Sequence, residues 1–371
     1  MNFDFSDELK QLRDQARRFL GEHSAPKQVR QILEGRAPYD RALWQGIAEM
    51  GWMGTAIPEE YGGAGMGHLG LCVLAEEMGR SLAPIPFASS AYFAAEAIML
   101  AGSAAQKAHW LPKFAAGEAI GCFAWAEGTG NPKAAKVAAR FAGGRLSGSK
   151  WPVVDGGVAD VAVVVARGED GRIALVLVEL RATGVHPETL QTLDPTRDTA
   201  KLNFDDTPAE ALSSGGDGWA VVEALLDRAA ILLAFEQVGG AAVCLDMAVQ
   251  YARDRHAFGR PIGSFQAIKH KLADVYVANE LARSNAYFGA WALDTGSAEL
   301  RLAAASARVS ATDAFHLASK ENIQTHGGMG FTWESDCHLY YRRAKHLALS
   351  IGAIQFWRDR VVNELEARNA A

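Results

Sequence analysis

Apolar residues in the first third of the chain recur three and four positions apart. Leu9, Leu12, Ala16, Phe19 and Leu20 fall on one face of a helix that Ser6 caps and Pro26 punctuates. Tyr39 to Met50 is a second helical run, stopped by Gly51, and Leu69 to Leu82 is a third. Tyr92 to Leu100 is a fourth, stopped by Gly102. Between the second and third lies Pro58-Glu59-Glu60-Tyr61-Gly62-Gly63-Ala64-Gly65-Met66-Gly67, a loop by its glycine content. Its G-x-G spacing follows no predicted strand, so it is not read as a dinucleotide fingerprint.

The texture changes near Gly117. Val161 to Ala166 and Ile173 to Leu180 are short Val/Ile/Leu runs bounded by Gly, Asp and Glu, and Gly143-Gly144 and Asp170-Gly171 have hairpin-turn chemistry. After Gly215-Gly216-Asp217-Gly218 the helical texture returns: Trp219 to Arg253, Ser264 to Leu293, Ser297 to Gln324, and Glu334 to Glu366 with a break near Gly352. Four long helices in succession predict a bundle. The expected fold is α+β and multidomain: a helical domain over 1–117, a β domain over 118–216 and a four-helix bundle over 217–371.

Composition narrows the function classes. The 371 residues carry 37 Lys and Arg against 43 Asp and Glu, a net charge of −6 with no basic tract, which argues against nucleic acid as a partner. Cys72, Cys122, Cys244 and Cys337 form no C-x-x-C pair, and no histidines stand in H-x-x-x-H, so no metal is expected. Scattered thiols and an acidic N-terminus point to the cytoplasm without export. No apolar run is read as reaching the ~18 residues of a spanning helix, so no membrane span is expected.

Four motifs carry chemistry. Arg255-His256-Ala257-Phe258-Gly259-Arg260-Pro261-Ile262-Gly263-Ser264-Phe265-Gln266 runs on to Lys271-Leu272-Ala273-Asp274. Gln324-Thr325-His326-Gly327-Gly328-Met329-Gly330-Phe331, the Pro58 to Gly63 loop and Arg343-Ala344-Lys345 are the others. An Arg with a neighbouring aromatic suits a diphosphate, and paired glycines let a ligand approach backbone closely. Together, in this order and across nearly the whole chain, they resemble the acyl-CoA dehydrogenase family. The resemblance implies FAD, an acyl-CoA thioester as substrate and an electron-transfer flavoprotein as electron acceptor. It also implies a tetramer in which Arg255, Phe258, Gln266, Gln324, Gly327 and Gly328 meet the FAD of a neighbouring subunit. Arg228 falls where a family arginine approaches the CoA end of the ligand; a helix-surface charge is the alternative.

The departures from the family are as specific as the matches. The family removes the substrate's α-proton with a glutamate, while hydride from the β-carbon passes to the flavin. One family position for that glutamate falls on Ile351; another, 26 residues before Arg255, falls on Ala229. Neither side chain accepts a proton. Glu236, seven residues beyond Ala229 and so on the same helix face, is either a displaced base or a structural glutamate bonded to a neighbouring helix. Asp227 is a weaker candidate.

The family's T-E-P-x-x-G-S-D flavin stretch reads Ala126-Glu127-Gly128-Thr129-Gly130-Asn131-Pro132 here, without the Thr hydroxyl at its usual place. Its K-x-W-I-T-N-G stretch reads Lys150-Trp151-Pro152-Val153-Val154-Asp155-Gly156, so Trp151 serves only by a one-residue slip, which reverses its face in a strand. Residues serving a neighbour's FAD persist, and those serving the chain's own FAD are eroded. This resembles bacterial members acting on steroid side-chain thioesters, which pair unlike subunits as α2β2; the expected role is the partner subunit that lacks the glutamate. Alternatives are a self-sufficient homotetramer using Glu236, a flavin monooxygenase or oxidase, and a structural member of the fold.

Overall fold

The computed structural model describes residues 5–212 and 217–370. The glycine turn expected at Gly215-Gly216 lies outside them.

Helices α1 (Asp7–His23), α2 (Pro26–Leu33), α3 (Arg41–Glu49), α4 (Gly67–Ser81), α5 (Ala95–Ala101) and α6 (Ala104–Ala115) come first. Their caps follow local chemistry. Ser6 accepts from Leu9 N, Asp40 accepts from Leu43 N, and Ser103 with Gln106 forms a reciprocal capping box. The predicted run from Tyr92 is displaced: Ser89–Ala94 is π-helical and the regular helix starts only at Ala95. The Pro58 loop contains a single 3-10 turn, Glu59–Tyr61.

The strands are β1 (Gly121–Ala124), β2 (Arg140–Ala142), β3 (Arg145–Val154), β4 (Val161–Arg167), β5 (Ile173–Glu179), β6 (Val185–Thr189), β7 (Thr199–Pro208) and β8 (Glu210–Ala211). They form one sheet in the order β6-β7-β3-β2-β4-β5-β8, with β1 parallel to β4. Both predicted hairpin turns occur, Gly143-Gly144 between β2 and β3 and Asp170-Gly171 between β4 and β5. β4 is buried from Val161 to Ala166 because both its faces are covered, which is why it reads as a continuous apolar run. Its core neighbours are Leu146, Val153, Val176, Leu202 and Phe204.

Helices α7 (Gly218–Asp254), α8 (Gln266–Asp294), α9 (Leu300–His326), α10 (Cys337–Leu349) and α11 (Ile354–Ala370) complete the chain, with a short hairpin of β9 (His256–Ala257) and β10 (Arg260–Pro261). The fourth predicted helix is thus two. The break falls at Gly352, whose φ of 98° only glycine adopts readily, and the expected start at Trp333-Glu334 is delayed to Cys337. The expectation that no run reaches spanning length is corrected by α7. It is long and apolar enough to cross a membrane, yet 72% of that window is buried inside the fold, as in the core helix of a bundle.

The chain folds as two compact units. One takes the residues up to Val29, Cys72–Ala83 and everything from Ala230; the other takes Arg30–Leu71 and Pro84–Ala229. In the first, α4 and α7 cross in backbone contact. A Cβ on Gly79 would lie 1.8 Å from Glu236 O, and one on Gly239 2.0 Å from Glu76 O. Around the crossing, acids on α4 are paired, Glu76 with Arg283 at 2.6 Å and Glu77 with Arg17 at 2.7 Å.

Candidate functional site

The two family base positions are hydrocarbon inside the fold. Ile351 and Ala229 are each 0% exposed, and Ile351 lends only its carbonyl, which accepts from Trp357 Nε1 at 3.0 Å. Glu236, 2% exposed, faces Arg343 Nη1 at 3.3 Å, and Arg343 also donates to Leu82 O at 3.3 Å. On the next residue, Gln237 Oε1 accepts from Arg308 Nη1 at 2.8 Å and Gln237 Nε2 donates to Thr312 at 3.1 Å, while Arg308 also donates to Leu347 O. Burial pushes Arg308 down to about 9, against the pull of Glu236. Glu236 is thus built into a buried polar network joining α7, α9 and α10 with Leu82, just past the end of α4, the arrangement of the structural alternative.

The residues expected to meet a neighbour's FAD gather at one end of the bundle. Tyr251 of α7 stacks on His326 of α9 with ring centroids 4.1 Å apart, and Lys271 of α8 reaches Glu321 of α9 at 3.3 Å. These contacts bring the β9–β10 hairpin and the turn after α9 to the same end. Arg255 follows α7, is exposed, and makes no side-chain ion pair or hydrogen bond among the described residues. Phe258 sits at the hairpin tip with φ 54°, followed by Gly259 at φ 78°. A two-residue turn of this kind favours Asn-Gly or Gly-Gly, and Phe there is backbone-strained.

The same ring is 94% exposed. It meets Phe265 edge-on, with ring centroids 6.2 Å apart, yet stays open to solvent, and a strained exposed residue points to function. Gln266, at the start of α8, and Gln324 are also exposed. Gly327 has φ 62°, and a Cβ on it or on Gly328 would meet nothing within 4 Å. A cation without an ion pair, an exposed aromatic, two amides and bare backbone together fit an anionic aromatic group arriving from outside the bundle, as the nucleotide part of FAD is.

The β unit presents a cleft of about 360 Å³ between Trp125, Glu127, the Gly128–Pro132 loop and Lys136. Its polar groups are largely spent on the fold. Glu127 accepts from Lys150 Nζ at 2.6 Å and from the amides of Ala138 and Ala139 at 2.7 and 3.0 Å. Burial alone would raise Glu127, but these donors outweigh it and hold it below the usual range; burial draws Lys150 down, and Glu127 opposes. Ala126 has no side-chain hydrogen bond to give, and its carbonyl accepts from Trp151 N.

At Trp151 the strand alternation is broken. The pairing of β3 with β7 shifts between Lys150 and Val153, which stand opposite Leu202 and Ala200, so three steps on one strand match two on the other. This bulge leaves Trp151 37% exposed against Gly128, where a Cβ would lie 3.5 Å from the indole, and the Trp151-Pro152 peptide is cis. Asp155 is buried and bonded to Arg197 at 2.7 Å and Ser89 at 2.5 Å. The β unit therefore fits a flavin ring less well than the bundle end fits a nucleotide.

Sequence reading missed one cluster. Arg228 pairs through Nη1 with Glu96 Oε1 at 3.1 Å, and His68 Nε2 holds Glu96 Oε2 at 3.0 Å. The available signal was Glu96 itself, a lone acid in the apolar run from Tyr92 to Leu100. Among the described residues, no three His, Cys, Asp or Glu side chains gather to hold a metal ion.

Comparison with known proteins agrees with this architecture. Acyl-CoA dehydrogenase N-terminal and C-terminal domain profiles match residues 6–118 and 216–365. Acyl-CoA dehydrogenase IpdE2 of Mycobacterium tuberculosis is 35% identical over 91% of each chain. The chain belongs to the acyl-CoA dehydrogenase family. Among solved structures, a variant of the steroid ACAD Tcur3481-Tcur3483 superposes with a TM-score of 0.90 at 32% identity, covering 98% of this chain and 99% of that one. The ChsE4-ChsE5 complex of Mycobacterium tuberculosis gives 0.90 at 27% identity, covering 99% of each chain. In acyl-CoA dehydrogenase terms, the helical, β and helical segments here are the family's own order, and the chain is an oxidoreductase of that class.

Proposed function

We propose that this chain is the partner subunit of a heteromeric acyl-CoA dehydrogenase. It completes an FAD site with its bundle end and leaves proton abstraction to a second, unlike subunit. One contrast carries this reading: Phe258 stands strained and 94% exposed beside an unpaired Arg255, while Ile351 and Ala229 are sealed hydrocarbon. Retention of exposed, costly groups at one end and loss of the base at the other suit a chain whose work is done on a neighbour.

In this assignment Arg255 pairs with the FAD diphosphate, Phe258 packs against the cofactor, and Gln266, Gln324 and the Gly327-Gly328 backbone supply hydrogen bonds. When bound, FAD supplies the hydride acceptor for α,β-dehydrogenation of a CoA thioester. An electron-transfer flavoprotein then takes the electrons, and the assembly is an α2β2 tetramer in the cytoplasm. The heteromeric steroid-type relatives support the assembly, and four buried free cysteines suit a reducing compartment.

The test is the flavin-to-chain ratio of the purified protein, expressed alone and with candidate partner subunits. The partner reading expects little flavin alone and full flavin with a mate. One FAD per chain alone, bleached by an acyl-CoA and lost to turnover on Glu236→Gln, would replace it with a self-sufficient homotetramer. Protein that never takes up flavin would leave a structural role.

A further inference from the structure

The acid of the β-unit cleft is spent on the fold, and the groups that remain around it are rich in donors. Glu127 is the one acid among the lining residues. Its Oε1 accepts from Lys150 Nζ and Ala139 N, its Oε2 accepts from Ala138 N, and Lys150 balances its charge. The amides of Thr129 and Gly130 and the Thr129 hydroxyl make no hydrogen bond among the described residues. Trp125 is buried, and its indole N–H likewise has no partner there. Lys133 and Lys136 are exposed and make no side-chain ion pair or hydrogen bond among the described residues. All of these residues line one cleft of about 360 Å³.

The two lysines are held to the same side of it. Lys136 N donates to Lys133 O at 2.9 Å, closing the turn of the 3-10 segment Ala134–Lys136, where side chains three apart eclipse. Arg167 fastens this turn, donating Nη2–H to Ala134 O at 2.8 Å and Nε–H to Val137 O at 3.2 Å. Along the family's T-E-P-x-x-G-S-D stretch, Pro132 stands at the Ser and Lys133 at the Asp. The loop has therefore lost a hydroxyl and an amide donor and exchanged an acid for a base.

Two cations without an ion pair, together with several donors, call for an anion. A phosphate ester carries about −1.5 to −2 charge at pH 7 and three acceptor oxygens, which matches both counts, whereas a carboxylate brings a single charge. The volume lies at the small end of the roughly 300–1,000 Å³ of small-molecule pockets, and Trp125, Pro132 and Val137 add apolar lining for an organic part.

We propose that this cleft binds a small organic phosphate, with the phosphate held by Lys133, Lys136 and the Thr129 and Gly130 amides. The site uses no residue of the bundle end and stands whether or not that end meets FAD.

The experiment is calorimetric titration of the purified protein, in the assembly it forms, carrying Arg255→Gln so that the bundle end adds no phosphate binding. The probes are AMP, ribose 5-phosphate and phosphopantetheine, each beside its dephosphorylated counterpart, with inorganic phosphate and FAD as further arms. At least one ester should bind at least tenfold more tightly than its counterpart and than inorganic phosphate, and its affinity should fall as salt rises. Lys133→Met with Lys136→Met should weaken that ester at least tenfold, and Lys133→Arg with Lys136→Arg should restore much of the loss. Both positions are exposed, so these variants fold. No saturable binding of any ester up to ~10 mM overturns the site, as does an ester bound equally well by the double Met variant. Inorganic phosphate bound as tightly as the best ester overturns the organic ligand. FAD bound as tightly as the best ester, and loosened by the same Met variants, makes the cleft the chain's own flavin site instead.

Discussion

Removing the carboxylate of Glu236 separates two roles that the sequence leaves open. In the fold it is one half of a buried pair, with side-chain exposures of 1% for Arg343 and 3% for Glu236 and a separation of 3.3 Å. Deleting one partner of such a pair strands the other charge and costs about 3–5 kcal/mol. At roughly 1–1.5 °C per kcal/mol for a chain of 371 residues, Glu236→Ala should lower the melting temperature by about 3–8 °C. Glu236→Gln keeps an acceptor oxygen for Arg343 Nη1 and should lose less, about 1.5–3 kcal/mol, the range for a hydrogen bond to a charged group. Arg343→Met in the Glu236→Ala background removes the stranded cation and should recover much of the loss, so the double-mutant cycle should show strong coupling. Thermal unfolding followed by circular dichroism, with turnover of the reconstituted assembly in parallel, reads the wild type, Glu236→Ala, Glu236→Gln, Arg343→Met and the double variant. A Glu236→Gln protein that melts with the wild type and yet is catalytically dead would refute this reasoning and make Glu236 a base.

Other perturbations test other parts of the structure. Arg255→Gln and Phe258→Ala alter exposed side chains, so each should leave the melting temperature of the isolated chain within about 2 °C. Both should lower flavin retention by the assembly at least tenfold, as read from its absorbance spectrum. Gly79→Ala places a Cβ 1.8 Å from Glu236 O and must push α4 from α7, so it should destabilise by about 1–3 kcal/mol or prevent folding, by denaturant titration. The carboxyl of Glu127 is held below its usual range in the folded state, so its contribution to stability is present above the unfolded value and is lost as pH falls through the lower folded one. Acid unfolding of Glu127→Gln should therefore show a shallower loss of stability across that window than the wild type. Ile351→Glu buries a carboxyl at a 0% exposed site and should destabilise the chain without conferring turnover, checked by melting and by dye-coupled assay.

Local patterns were legible wherever one physical cause dominated. Ser6 and Asp40 announce helix starts because their oxygens answer orphan amides, and Gly143-Gly144 and Asp170-Gly171 announce hairpins because their backbones permit the turn. The reading faltered where two residues far apart in sequence settle the outcome. The strand alternation around Trp151 is broken by a bulge whose evidence lies on the opposite strand, at Ala200 and Leu202. Helix α7 was legible at nearly its full length, Trp219 to Arg253, but its apolar stretch was undercounted because Asp227, Arg228 and Glu236 interrupt it. Glu96 and Arg343 answer two of those charges.

The same distinction governs the site. Arg255 and Gln324 are exposed and make no side-chain hydrogen bond or ion pair among the described residues, and Phe258 meets Phe265 edge-on while exposed, so this chain's own packing constrains their identity weakly. Glu236 and Arg228 are ionic groups in apolar surroundings, and for these the sequence can flag a charge without saying what answers it. Geometry answers differently for each. Glu236 meets Arg343, with Arg308 bonded to the adjacent Gln237, and the resulting network knits helices together. Arg228 meets Glu96 and still leaves Nε buried without a partner. Buried side-chain atoms without a partner recur among the described residues, at Asn279 for one, so the idle donor at Arg228 is the cost of the ion pair that seats it on Glu96 and not a sign of what else binds there.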